Sequence, residues 1–452
     1  MPGVQPCALP ISLPEGFETE MRFDSTKKTY SGSFTLPKDI VYAMFKVGDG
    51  VKFDNNKGNY WGTYIFKDDK TVFSGAYQKS AISYMGNLPE NIRRNANFIK
   101  AEEYFKKELS IDSTNIQAKI GLVSLQFDLK LINKNDFEKK LQEIVKSKYD
   151  EYSETDIRAV ARALRTLNES KKADDLEMEF VKRNPSSELA EEKYLSRISQ
   201  AETFEDFSKG CLEFLKIYPF SLNREKIFSA MVEGYAQVKK FKEIREILET
   251  TKDVPSSIWS QMANSIASDG RWLSNTTKED RKPVAFSFME KALEEAKKDY
   301  FLYKPKYLSL SEWKETRRIN LGLTYQDYGK LYNYYNDYSK SIEYFKEAKQ
   351  ILKTYSTSEL YENLLESYYY SSNNLFAFDV ANETILNSKA TDKIYKYHQD
   401  LFYKIYSKSA DYVAYLDSLE LQAKNNRLDE LKKELLHLDQ SIATVTTMDG
   451  LS

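Results

Sequence analysis

Two hydrophobic periods divide the chain. From Phe17 to about Ala81 apolar side chains recur at every second residue, as in Phe17/Thr19/Met21/Phe23, Tyr30/Gly32/Phe34/Leu36 and Val41/Ala43/Phe45/Val47, the period of strands with one buried face. Trp61 to Phe66 and Lys70 to Tyr77 add two more such runs. The breaks between them carry turn residues: Asp24-Ser25-Thr26, Leu36-Pro37-Lys38-Asp39, Gly48-Asp49-Gly50 and Asp54-Asn55-Asn56-Lys57-Gly58. The pattern predicts a small antiparallel β-sandwich over 13–88, Ig-like in kind. Such sandwiches usually have about seven strands, so a domain of five or so reads as incomplete.

From about Asn91 to about Leu438 the period becomes that of amphipathic helices. Ile157, Val160, Ala161 and Leu164 share one face, preceded by Ser153 and Asp156 as a capping box. Tyr361, Leu364, Leu365 and Tyr368 repeat the spacing. Pro185 and Pro219 stand 34 residues apart and Pro255 follows 36 later, close to the length of one tetratricopeptide unit. Within Tyr325, Tyr328, Gly329, Tyr332, Ser341, Phe345 and Ala348, large side chains of a first helix face small ones of a second, with Gly329 at the closest approach. Ala101, Phe105 and Leu109 read as the second-helix half of an earlier unit, and Ala377 follows Ser341 by 36 residues. The predicted fold class is α+β, mainly α: a small N-terminal antiparallel β-sandwich followed by a long tetratricopeptide-like α-solenoid over 91–438. Asp269 to Lys282 and Tyr303 to Tyr307 interrupt the pattern and predict longer loops.

Charge and composition remove several classes of function. Lys and Arg (66) nearly balance Asp and Glu (68), and the signs are interspersed, so no broad attraction to nucleic acid or anionic lipid is expected. No run of 18 apolar residues occurs, which predicts no membrane span, and no signal peptide is present in the sequence as it stands. The cysteines are Cys7 and Cys211, with no C-x-x-C; Cys211, among Gly210, Leu212 and Phe214, reads as a small buried side chain. His398 and His437, 39 residues apart on predicted helices, read as solvated and suggest neither a metal nor a triad. Asp54-Asn55-Asn56 lacks the spacing of an EF-hand loop and reads as a turn. No catalytic residue, metal or cofactor is expected.

Tyrosine is abundant, with 33 copies clustered at Tyr332/Tyr334/Tyr335 and Tyr368-Tyr369-Tyr370. Tyr325, Tyr332 and Tyr368 fit interhelix packing. Tyr334, Tyr335 and Tyr370 fit packing and binding about equally, and are the candidate partner-binding residues, in a groove of amphipathic aromatics suited to a peptide or protein and less well to a glycan. Trp61 and Tyr64 carry the same two readings, packing ahead of glycan contact.

The stretch Tyr30 to Ala81, with Phe34-Thr35-Leu36-Pro37, Lys52-Phe53-Asp54-Asn55-Asn56-Lys57-Gly58-Asn59-Tyr60 and Gly75-Ala76-Tyr77, resembles the N-terminal β domain of large exported TlpA-like thiol-disulfide oxidoreductases of the thioredoxin family. In that family a tetratricopeptide-type helical region and a C-terminal thioredoxin fold follow. Ala443-Thr444-Val445-Thr446-Thr447-Met448-Asp449-Gly450 resembles the first strand and turn of that fold. The resemblance implies that 439–452 begins a truncated thioredoxin domain, without its W-C-x-x-C, and that the protein is periplasmic or at the cell surface. It implies a non-catalytic accessory scaffold that positions the thioredoxin domain, since Cys211 alone cannot run dithiol chemistry. Residues 1–12, with Cys7-Ala8-Leu9-Pro10-Ile11-Ser12 resembling translated adapter sequence, are read as artefact or disordered. The alternative function is a stand-alone tetratricopeptide-type scaffold that binds a peptide or protein partner, or less plausibly a glycan.

Overall fold

The structure, a computed structural model, describes residues 19, 21–26, 29–31, 40–48, 53–68, 70–86, 88, 93–146, 153–274, 276–298, 303–407 and 410–448, without the side chains of 23, 24, 29, 53 and 434–448. Two compact units result, 1–202 with 306–311 and 203–305 with 312–452.

Unit 1 opens with six short strands: β1 (Arg22–Asp24), β2 (Thr29–Ser31), β3 (Tyr42–Phe45), β4 (Val47–Gly48), β5 (Phe53–Asp54) and β6 (Trp61–Tyr64). They pair antiparallel as β1-β2, β3-β6 and β4-β5, with Tyr42 opposite Tyr64 and Phe45 opposite Trp61. Among the described residues these are three two-stranded ladders rather than two packed sheets, so the β-sandwich expectation is reduced to a set of hairpin-sized ladders. Part of the predicted strand through Phe34 and Leu36, and Asp49-Gly50 of the break after β4, lie outside the described residues. The Asp54–Gly58 turn forms as expected: the Asn56 N–H donates to Asp54 Oδ1 (2.8 Å) and the Gly58 N–H to Asn55 Oδ1 (2.9 Å).

The predicted strand Lys70–Tyr77 is corrected. Only Val72 bridges, to Phe66, and Ala76–Tyr84 is helix α1. The cause is a buried carboxylate. Glu108 accepts hydrogen bonds from the N–H groups of Gly75 (2.6 Å), Tyr77 (3.1 Å) and Gln78 (3.2 Å), satisfying donors that every helix start leaves free. Gly75, at φ 88°, supplies the left-handed turn into it. Arg94, also buried, fastens the ladders to α1: its guanidinium donates to Tyr42 Oη (2.9 Å), the Tyr60 carbonyl (3.2 Å) and Ser83 Oγ (3.0 Å).

The rest of unit 1 is α2 (Phe98–Ile111), α3 (Ile116–Asp128), α4 (Lys134–Val145), α5 (Glu154–Thr166), α6 (Ser170–Arg183) and α7 (Glu188–Ser199). Unit 2 holds α8 (Phe204–Ile217), α9 (Arg224–Gln237), α10 (Phe241–Thr250), α11 (Ser256–Ser268), α12 (Lys278–Lys297), α13 (Leu310–Tyr334), α14 (Tyr338–Leu352), α15 (Ser358–Tyr370), α16 (Asn374–Leu386), α17 (Asp392–Ile405) and α18 (Tyr412–Met448). The stripe Ile157, Val160, Ala161 and Leu164 is buried, as are Tyr361, Leu364, Leu365 and Tyr368, and the Ser153/Asp156 capping box is formed. Pro185, Pro219 and Pro255 fall between α6 and α7, α8 and α9, and α10 and α11.

A single turn geometry folds these helices into hairpins. Lys130, Asn168, Lys239, Asn336 and Ser372 are left-handed, with φ between 59° and 61°. The N–H that follows each donates back to Gln126 (2.8 Å), Leu164 (2.9 Å), Tyr235 (2.9 Å), Tyr332 (3.0 Å) and Tyr368 (2.9 Å) carbonyls respectively. This is the Schellman closure, normally built with glycine. Across the α13/α14 hairpin the helices touch as read: a Cβ on Gly329 would meet the Phe345 ring at 2.6 Å, and one on Gly322 would meet Leu352 at 2.6 Å. Ser341 Oγ donates to the Gly329 carbonyl (2.9 Å). Partners 329/345 and 322/352 run in opposite directions, so the pair is antiparallel.

Two further expectations change. The polar stretch Asp269–Lys282 contains a short 3-10 turn, Gly270–Leu273, whose Trp272 packs on Phe241 (4.8 Å), and α12 has already begun at Lys278 behind a Thr277/Asp280 capping box. Residues 443–448, read as the first strand of a thioredoxin fold, continue α18 as helix. No glycine or proline stands between Asp411 and Asp449, so nothing stops the helix before that point. Asp449-Gly450 and residues 1–12 lie outside the described residues.

Candidate functional site

In unit 2 the first helices of the last three hairpins, α13, α15 and α17, place polar side chains one repeat apart in contact. Gln326 Nε2 donates to Glu359 Oε2 (3.1 Å), and Lys330 pairs with Glu359 Oε1 (2.8 Å). Ser367 Oγ donates to Asn333 Oδ1 (2.8 Å), and Asn333 Nδ2 donates to the Asn363 carbonyl (3.4 Å). One repeat on, Tyr397 Oη donates to Glu366 Oε1 (3.0 Å), which Lys393 Nζ also meets (2.9 Å). Tyr369 Oη donates to Asp400 Oδ2 (2.7 Å), and Tyr370 and Tyr397 share a hydroxyl contact of 3.3 Å. Residues three or four apart on a helix share a face, so Glu359, Glu362, Glu366 and Tyr370 present one continuous stripe of α15.

The charges on this face are paired within it. Lys404 lies 2.6 Å from Asp400 and its Nζ sits 4.1 Å from the Tyr369 ring centre. Its hydrogen bond, with that of Tyr369, holds the Asp400 carboxyl below the usual carboxylate range despite some desolvation. Desolvation acts to lower Lys393, but the Glu366 hydrogen bond and charge outweigh it and the ammonium is raised. Burial pushes the Tyr397 phenol up, and the Tyr370 hydroxyl and Glu366 carboxylate push it further. The face therefore offers phenol hydroxyls and matched ion pairs. It can hold a ligand by hydrogen bonds and ring contacts rather than by net charge.

Of the three tyrosines expected to bind, the structure gathers one into this face. Tyr370 is 54% exposed and stacks on Tyr338 (5.6 Å). Tyr334 is 39% exposed at the end of α13, with Lys278 Nζ 4.3 Å from its ring centre. Tyr335 is only 8% exposed, its ring 5.8 Å from Phe286 of α12, and is corrected to a core residue. The left-handed Asn336 reverses the chain directly after it and leaves the ring against α12. Tyr328, Tyr361 and Tyr368 are buried, and Tyr325 and Tyr332 are half-buried among rings of the hairpin, as packing requires. Asn333, Asn363, Glu366, Tyr369, Lys393 and Tyr397 escaped the sequence reading. Their signal lies in spacing rather than clustering: Gln326 and Glu359 touch 33 residues apart and Asn333 and Ser367 34 apart, close to one repeat.

The remaining candidates resolve into packing. Cys211 is buried on α8, and burial pushes its thiol up to about 12, so it is neither a ready nucleophile nor a metal ligand. His398 was expected in solvent but is wholly buried on α17, in line with Ile394, Leu401 and Phe402 of the same apolar face. Its Nε2 lies 2.9 Å from Asn382 Oδ1 and its Nδ1 3.0 Å from Tyr412 Oη, which fixes Nε2 as the protonated nitrogen, and its ring lies parallel to Phe378 at 4.8 Å. Burial pushes its pKa down to about 4. The side chain of His437 lies outside the described ones. Trp61 stacks on Phe45 (6.0 Å), and Tyr64 packs on Tyr42 and Tyr77 while its hydroxyl meets Ser80 (3.1 Å). Among the described residues no group of three or more His, Cys, Asp or Glu could hold a metal ion, and no helix is long and apolar enough to cross a membrane.

The described chain is thus mainly helical, a run of tetratricopeptide-like hairpins behind short β ladders. No protein-family model matches it, and no curated protein sequence matches it. Among solved structures it is similar to the tetratricopeptide domain of P58(IPK), at 9% identity and a TM-score of 0.20 over 74% of this chain and 94% of that one. It is similar to the TPR2AB domain of yeast Sti1 in its pHSP90 complex, at 8% identity and a TM-score of 0.16 over 72% and 92%. It is also similar to the APC/C hetero-tetramer Cut9–Hcn1, at 14% identity and a TM-score of 0.20 over 79% and 78%. At those TM-scores no residue of theirs maps onto a residue here, and the tetratricopeptide-like character rests on the turns and hairpin packing within this chain.

Proposed function

We propose that the protein is a non-catalytic protein-interaction scaffold that holds a peptide segment of a partner along the face of α13, α15 and α17. The observation that carries the reading is the ladder itself. Its ion pairs hold Tyr369 and Tyr397 half-buried and Tyr370 exposed, so that rings and hydroxyls stand ready without an ordering cost at binding. A peptide selected from a displayed random library against the full chain tests it. Tyr370→Ala and Tyr397→Ala should each weaken that peptide about 10- to 100-fold while helicity by circular dichroism stays constant. Unchanged affinity in both variants would remove the face from consideration.

A role as the accessory region of an exported TlpA-like thiol-disulfide oxidoreductase, in the periplasm or at the cell surface, has less behind it. It keeps the resemblance of 30–81, while 443–448 is helical and Cys211 is a buried, protonated thiol.

A further inference from the structure

Helix α18 outruns the body that supports it. Tyr412, Leu419 and Ala423 are buried at its start, but every described side chain from Lys424 to Lys433 is exposed, and the helix continues to Met448. A helix without a packing partner is marginal in water, and this one keeps an apolar seam: Leu421 is 59%, Leu428 50% and Leu431 40% exposed. The seam has a heptad period. Leu421, Leu428, Leu435 and Ile442 hold position a, and Leu431, Leu438 and Val445 hold position d, with Lys424 the exception at d. From Leu428 to Val445 every a and d position is apolar, the pattern of a coiled-coil seam rather than of a surface helix.

The flanking charges choose both partner and direction. In a parallel pair of identical helices, Arg427 at g faces Lys432 at e, and Glu434 faces Asp439, both like-charged, while the two Lys424 meet at d. In an antiparallel pair shifted so that Leu428 lies level with Val445 of the second copy, Leu431 is level with Ile442 and Leu435 with Leu438. All six layers are then apolar, Lys424 falls outside the overlap, and Lys432 meets Asp439 twice. We propose that α18 pairs with α18 of a second copy of the chain as an antiparallel two-stranded coiled coil over 428–445. The dimer carries two copies of the α13/α15/α17 face and favours a partner with repeated motifs.

Analytical ultracentrifugation of the full chain tests this. The native chain should sediment at twice its 52.6 kDa. Leu431→Lys, which spoils two layers, should weaken the dimer by on the order of a hundredfold or more with the circular dichroism of the hairpins unchanged. Lys432→Glu should weaken it on the order of tenfold, and adding Asp439→Lys should restore it. A native chain that sediments as a monomer would assign α18 to a different protein and overturn the proposal. So would a dimer indifferent to Leu431→Lys, or one tightened by Lys432→Glu, which is the parallel arrangement's response.

Discussion

Between α1, α3 and α5 of unit 1, the repeat-to-repeat contacts are amides and carboxylates. Gln78 Nε2 donates to Gln117 Oε1 (2.8 Å), and Gln117 Nε2 donates to Asp156 Oδ1 (2.6 Å). Between α13, α15 and α17 of unit 2 an amide–carboxylate contact recurs at Gln326 and Glu359, but Asn333 with Ser367 and Tyr397 with Glu366 add hydroxyls, and the partners stand 34 residues apart for Asn333 and Ser367 rather than the 39 of Gln117 and Asp156. The Gln78–Gln117–Asp156 chain links the helices of the first ladder. The second ladder also brings phenol rings to its face, with Tyr370 the most exposed of them. On the proposed function, the same hairpin plan serves as structure in one unit and as recognition surface in the other, according to which side chains occupy the repeated positions.

The contrast can be broken most severely at Glu108. Glu108→Ala leaves the Gly75, Tyr77 and Gln78 N–H groups buried without an acceptor, and should cost about 3–5 kcal/mol in chemical denaturation. Hydrogen exchange should place the loss in α1 and α2, with α13 to α17 unaffected.

Acid should act on unit 2 through His398. The unfolded imidazole takes its proton near pH 6.5, the folded one only near 4. Between these values the unfolded state binds more protons, so stability is full above pH 6.5 and falls as the pH drops, by about 3 kcal/mol at pH 4. His398→Gln should flatten this pH dependence when unit 2 unfolding is followed; a slope that persists would assign it to other groups.

Smaller is the effect at Gly329. With the Phe345 ring 2.6 Å from any added Cβ, Gly329→Ala should destabilise unit 2 by about 1–3 kcal/mol, readable as a lower denaturation midpoint. Smallest, and of opposite sign, are the left-handed turn positions. Lys239→Gly should stabilise its hairpin by about 0.5–1 kcal/mol, because a Cβ at φ 60° is disfavoured and glycine's is absent.

Those turns also explain what the sequence left hidden. Helix faces such as Ile157/Val160/Ala161/Leu164 and the Gly329–Phe345 approach were legible, because apolar period and a missing side chain are local signals. Hairpin ends were not, since Lys130, Asn168, Lys239, Asn336 and Ser372 occupy the position where glycine would have marked a stop. Helix α1 was hidden because its cap, Glu108, is 33 residues from Gly75, and local alternation at Val72, Ser74 and Ala76 imitated a strand. His398 was misjudged by residue type, although its place on the Ile394/Leu401/Phe402 face pointed inward. For the proposed binding face, clustering of tyrosines drew attention to Tyr334 and Tyr335, whereas the contacts that build the face join residues far apart in the chain, such as Asn333 with Ser367 and Tyr370 with Tyr397.

The central claim is that the tyrosine-bearing face of α13, α15 and α17 is where a partner binds. Hydrogen–deuterium exchange of the full chain, with and without a library-selected peptide, tests it most directly. The account predicts new protection over 358–370 and 392–405. Protection confined to α14 and α16, with α15 and α17 unchanged, would contradict it.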